Sequence, residues 1–154
     1  MRTFILITLL LTATCAASQT TPQTATPKPL AITPADLSKL RWIEGAWKGT
    51  GDVDKPFYER YRFDGDSLLL VEGHDDESFS KPSDVTRFEL KEGQFGNAGE
   101  GSRWVATAID ENSITFEPVF KARNTFQWKR ESADLWTAIL KWPATDSAPA
   151  KQRI

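Results

Sequence analysis

Glu59 is the residue with the clearest chemical potential. It stands in the alternating run Phe57-Tyr58-Glu59-Arg60-Tyr61-Arg62-Phe63, which puts it on one strand face with Phe57, Tyr61 and Phe63. A carboxylate among aromatics needs a partner, because burying a charge without one is costly. Two uses follow. It can fix the polar head group of a ligand held by apolar walls, or it can work as an acid–base group with an arginine or tyrosine. Arg87 and Arg103 are candidate ion-pair partners if a local bulge turns one of them inward.

The remaining reactive types form weaker patterns. His74-Asp75-Asp76-Glu77 has the composition of a metal site, but adjacent side chains on an extended chain diverge, and the run reads as a solvated hairpin tip. Glu117 beside Pro118 is a second acidic candidate, facing inward or at a barrel rim. Only one histidine is present, with no Gly-x-Ser-x-Gly serine, and the glycines from Gly96 to Gly101 open no helix. No catalytic set, metal site or cofactor is predicted.

The elements that would position Glu59 are strands. Thr33, Pro34 and Asp36 form the start signal of one short helix over 34–43, ended by Gly45. From residue 46 the period changes to two. Strands are expected over 46–52, 57–63, 67–73, 85–91, 94–97, 103–109, 113–117, 124–131 and 135–142, with one more beginning at 151 and a loop over 79–83. That is an antiparallel meander, which either stacks as a sandwich or closes into a barrel, and an eight-strand count suits closure. If such a barrel encloses a cavity, Glu59, Tyr61, Phe88, Glu117, Phe126 and Trp128 are the residues that would line it.

Composition and the first residues set the compartment. Met1-Arg2, an apolar run from Phe4 to Leu11 and the small residues up to Ser18 have the layout of a secretory signal peptide over residues 1–18. The run is too short to cross a bilayer. Cys15 is the single cysteine, and Thr14 before it is a poor lipobox residue. Cleavage after Ser18 is therefore the favoured reading and a lipid anchor at Cys15 the minority one. The protein is expected to be periplasmic or secreted, touching membrane only if Cys15 is lipidated. Residues 19–33, rich in Thr, Pro and Ala, read as a disordered linker, and residues 34–154 as one domain. The 19 basic and 21 acidic groups are interspersed, without the basic stripe that a nucleic-acid partner would need.

The stretch Leu40-Arg41-Trp42-Ile43-Glu44-Gly45-Ala46-Trp47 carries a Trp-x-x-Gly-x-Trp opening. Glu59/Tyr61 form a Glu-x-aromatic pair, and Phe116-Glu117-Pro118 with Phe126-Gln127 supplies a late element. In these features the chain resembles a family of small exported bacterial lipocalin-like domains of unknown function. The resemblance covers most of residues 40–142 and implies an antiparallel β-barrel of eight to nine strands with a short N-terminal helix. It also implies that Trp47 closes the barrel bottom, with a late arginine such as Arg130 or Arg153 stacked on it. The chain departs from the family at Lys121-Ala122-Arg123-Asn124, where a His-Asp pair usually stands. The related haem-binding nitrobindins need a late histidine, and none follows His74.

The favoured function is thus an exported, non-enzymatic lipocalin-like protein binding a small, partly apolar or amphipathic molecule. The alternatives are an envelope interaction protein with a filled barrel, and an acid–base enzyme using Glu59.

Overall fold

The computed structural model describes residues 30–51 and 55–154. The signal-peptide segment and residues 19–29 of the expected linker lie outside them. Among the described residues, no helix is long and apolar enough to cross a membrane.

The domain begins with a short cap. Thr33 forms a complete capping box with Asp36 and starts α1, Pro34–Ser38, which passes into a 3-10 turn at Arg41–Ile43. Ile32 and Leu37 occupy the N′ and N4 positions of a hydrophobic staple and are both buried in the core cluster. The expected single helix over 34–43 is therefore two pieces. The end of the expected linker is also corrected. Leu30 N–H donates to Ala106 O at 3.2 Å, Ile32 N–H donates to Gly93 O at 2.7 Å, and Ile32 is 3 % exposed.

Ten antiparallel strands follow, not eight or nine. They are β1 Gly45–Gly49, β2 Phe57–Asp64, β3 Leu68–His74, β4 Pro82–Lys91, β5 Gln94–Ala98, β6 Arg103–Ile109, β7 Ser113–Phe120, β8 Thr125–Arg130, β9 Trp136–Trp142 and β10 Lys151–Arg153. They pair in strict chain order, as a meander should. At the β4–β5 turn, Glu92 and Gly93 both take positive φ, 53° and 76°, the pattern of a two-residue turn that matches strand twist. The loop expected over 79–83 ends early, because Pro82 opens β4, a position where its missing N–H is tolerated.

The sheet curls but does not close by hydrogen bonding. β1 pairs with β2, β10 pairs with β9, and the sheet order runs from β1 to β10 without joining its ends. The result is a half-barrel whose first two strands approach the ninth through side chains. Trp47 of β1 and Trp136 of β9 meet edge to face at 6.2 Å, and Tyr61 of β2 meets Trp136 at 5.5 Å and Trp128 at 5.7 Å.

Aromatic rings fill the concave face. Phe116 is fully buried and contacts Phe88 at 5.3 Å, Phe126 at 4.6 Å and Trp128 at 5.1 Å between ring centroids. Leu37, Leu40 and Ile43 of the cap join the same cluster, and so do Leu69, Phe95 and Ile114 from the strands. Offset and edge contacts of this kind add to the gain from burial.

Candidate functional site: a groove between the ends of the sheet

Strand register brings three positions to one level on the concave face. Glu59 of β2 pairs with Gly73 of β3, and Gly73 pairs with Asp84 of β4. On its other side Glu59 pairs with Trp47 of β1. Gly73 has no side chain, and the Asp84 carboxylate occupies the space where a Cβ would stand. Two carboxyl groups therefore approach each other across a glycine.

The partner of Glu59 is on its own strand. The Tyr61 hydroxyl donates to Glu59 Oε2 at 2.7 Å, so neither candidate arginine is used. Arg87 instead pairs with Glu89 at 3.1 Å. Burial pushes the Glu59 carboxyl above its usual range, the hydrogen bond from Tyr61 pulls it back, and the Asp84 charge pushes it up again. Burial also holds the Tyr61 phenol well above its ordinary value, with the Glu59 charge and hydrogen bond adding to the effect. Tyr61 therefore keeps its proton at neutral pH and serves as a fixed hydrogen-bond donor. Among the described residues no salt bridge reaches Glu59 or Asp84.

Glu59 lies in the wall of a groove of about 440 Å³ between the two ends of the sheet. Its apolar walls include Trp47 and Phe57 from one end and Leu135, Trp136 and Leu140 from the other. Phe57 is 45 % and Leu135 55 % exposed. Lys48, Asp134 and Arg153 are the other charged groups along it. The volume falls in the range of small-molecule sites. Two further depressions, about 300 Å³ beside His74 and about 410 Å³ along β4 and β5, are lined mainly by polar and charged residues.

The residues expected to line a cavity divide into three sets. Glu59 reaches the groove with Tyr61 behind it. Phe88, Phe126 and Trp128 face the concave side as expected, but they touch one another and fill the space they were expected to line. Glu117 is not brought to either set. It follows buried Phe116 in β7 and pairs with Val105, on the opposite face of the sheet.

Trp47 meets Trp136 edge to face and donates Nε1–H to Ile43 O at 2.7 Å, which ties the start of β1 to the cap. One other expectation is corrected. His74 is not part of a solvated tip. It ends β3 and is 7 % exposed, with Phe79 at 5.0 Å, and both ring nitrogens are buried without a hydrogen bond. Asp75, Asp76 and Glu77 do lie exposed, and no metal-holding group of three occurs among the described residues.

Sequence reasoning did not single out Phe57 or Leu135 as groove residues and gave Trp47 the structural place of closing the barrel bottom. The alternation in residues 135–142 placed Trp136 on one face, but only the curl of the sheet shows that this face meets β1. Comparison with family models, with curated proteins and with solved structures found no match to this chain.

Proposed function

We propose that the protein is an exported binder of a small, partly apolar molecule, held in the groove between the sheet ends and oriented by Glu59. The observation that carries this reading is the combination at one place of exposed apolar walls, from Phe57 to Leu135, with a half-buried carboxylate bonded to one fixed donor. Apolar walls supply most of the binding free energy of such sites, and a few placed polar groups supply orientation. The ligand sits at the seam of the half-barrel, because aromatic rings occupy its interior. Export is supported by the basic, apolar and small segments of residues 1–18. The lipocalin-like resemblance is in keeping with both parts of the reading.

Native mass spectrometry of the protein purified from the periplasm tests it. A ligand-bearing species, or stabilisation by members of a lipid and metabolite panel that Trp136→Ala abolishes, is the expected result. A clean apo mass with no stabilisation by any compound overturns the proposal.

One observation favours a second reading, an envelope interaction protein with a filled core. Val119 and Phe120 at the end of β7 are 43 % and 48 % exposed, away from the groove. A partner bound there would be released by Phe120→Ser and left in place by Trp136→Ala.

A further inference from the structure

The groove has a chemical polarity of its own. Its β2 side is walled by Glu59, which Asp84, outside the groove lining, approaches from behind over Gly73; the only hydrogen bond to either carboxylate among the described residues is the one from Tyr61. The charge of Asp84 raises the free energy of ionising Glu59, so in the empty protein the pair is frustrated. On the other side of Glu59, facing the groove, are the rings of Trp47, paired with Glu59 in register, and of Trp136 across the seam. Carboxylates and indole faces share one preference, for a cation that has an apolar attachment.

Lys48 and Arg153 also line the groove, in different places. Lys48 follows Trp47 in β1, so its side chain leaves from the opposite face, where its Nζ lies 6.0 Å from the Tyr58 ring. Arg153 pairs in register with Leu140, within the β9–β10 hairpin on the far side of the seam.

Resting on the reading of this groove as a binding site, we infer that its ligand is a primary or substituted amine on an apolar body. The ammonium lies on the Glu59 carboxylate at the side of Trp47, with Asp84 on the far side of Glu59, and the apolar body runs along Trp136 and Leu135. An ammonium there offsets the repulsion between the two carboxylates and gives Glu59 an ionised state with a partner. No bond is made or broken, and Tyr61 keeps its proton and holds the Glu59 carboxylate in place. A carboxylate ligand in the same orientation would add a third negative charge to the pair, which is the basis of discrimination.

Three probes with one tail and different heads provide the test: decylamine, decanol and decanoate, titrated at neutral pH below aggregation and followed by tryptophan fluorescence and calorimetry. The amine is expected to bind about tenfold or more tightly than the alcohol, as a charged hydrogen bond predicts, and decanoate more weakly than either. Glu59→Gln and the exposed Asp84→Asn should each reduce the preference for amine over alcohol. Asp84→Asn keeps the test valid if Glu59→Gln disturbs folding. Equal binding of decylamine and decanol, or an amine preference that survives both substitutions, overturns this inference and leaves the groove as a binding site. Failure of all three probes to bind overturns the binding site itself, and the head-group assignment with it.

Discussion

The hydroxyl of Tyr61 donates to the carboxylate of Glu59 at 2.7 Å, two residues apart on one face of β2. The ring of Tyr61 is locked between Trp128 and Trp136, so its hydroxyl is set by the core while its acceptor belongs to the groove. This contact is where the packing of the protein meets its candidate chemistry.

The first prediction concerns pH. The folded Glu59 carboxyl sits above its unfolded value, so between the two values the folded state binds more protons than the unfolded state. Its contribution to stability is therefore fully present below the unfolded value and declines as pH rises through the folded one. Glu59→Gln should raise the melting temperature at pH 8, with the difference from wild type shrinking toward pH 4. Thermal melts of both proteins across that range check it. A difference that grows on acidification would contradict the assignment.

Asp36 works in the opposite sense. The Thr33 side chain, Lys39 and the Thr33 backbone hold its carboxyl down to about 2, so its stabilising contribution is present above the unfolded value and is lost as pH falls toward 2. Thr33→Ala removes the capping hydroxyl and should cost about 1 kcal/mol near neutral pH. Urea unfolding measures it, and the deficit should narrow in strong acid.

Gly96 is held by backbone. A Cβ there would run into the carbonyl of Trp104, and carbonyls of a paired strand cannot step aside as a flexible side chain can. Gly96→Ala should cost about 1–3 kcal/mol, by the same overcrowding that limits small-to-large changes in cores. The denaturation midpoint reports it, and amide chemical shifts in β5 and β6 should move more than those in β2.

Phe116 is the hub of the aromatic cluster. Phe116→Ala should destabilise by about 3–5 kcal/mol, because four neighbouring rings lose a shared face. Leu135→Ala, at an exposed groove position, should leave stability nearly unchanged and weaken ligand binding. Chemical denaturation paired with a binding titration separates the two effects.

Much of the strand pattern was legible because the alternation is local. The strand over 103–109 has the bounds of β6, and the run from Phe57 to Phe63 placed Glu59 and Tyr61 together on one face, which the structure turns inward. Ile32 was misread because a single apolar residue in a Thr- and Pro-rich run carries no periodicity. Its place one residue before a capping threonine, five before Leu37, was the available signal. Glu117 was misplaced because no facing was derived for it, whereas alternation from Phe116 turns it outward. The open seam and the approach of Asp84 to Glu59 were out of reach. Both depend on registers between strands and on the total curl of the sheet, which no local run of residues specifies.

The strict chain order of the sheet has a consequence for any occupant of the groove. Each strand is hydrogen-bonded to its sequence neighbours, and the two ends of the sheet meet through side chains such as Trp47 and Trp136. A molecule seated against Trp47 and Trp136 acts as a clasp between the first strand and the ninth. It couples local opening at two places far apart in the chain. Amide hydrogens of β1 and β9 should then slow their exchange together on binding, while those of β5 to β7 keep their rates.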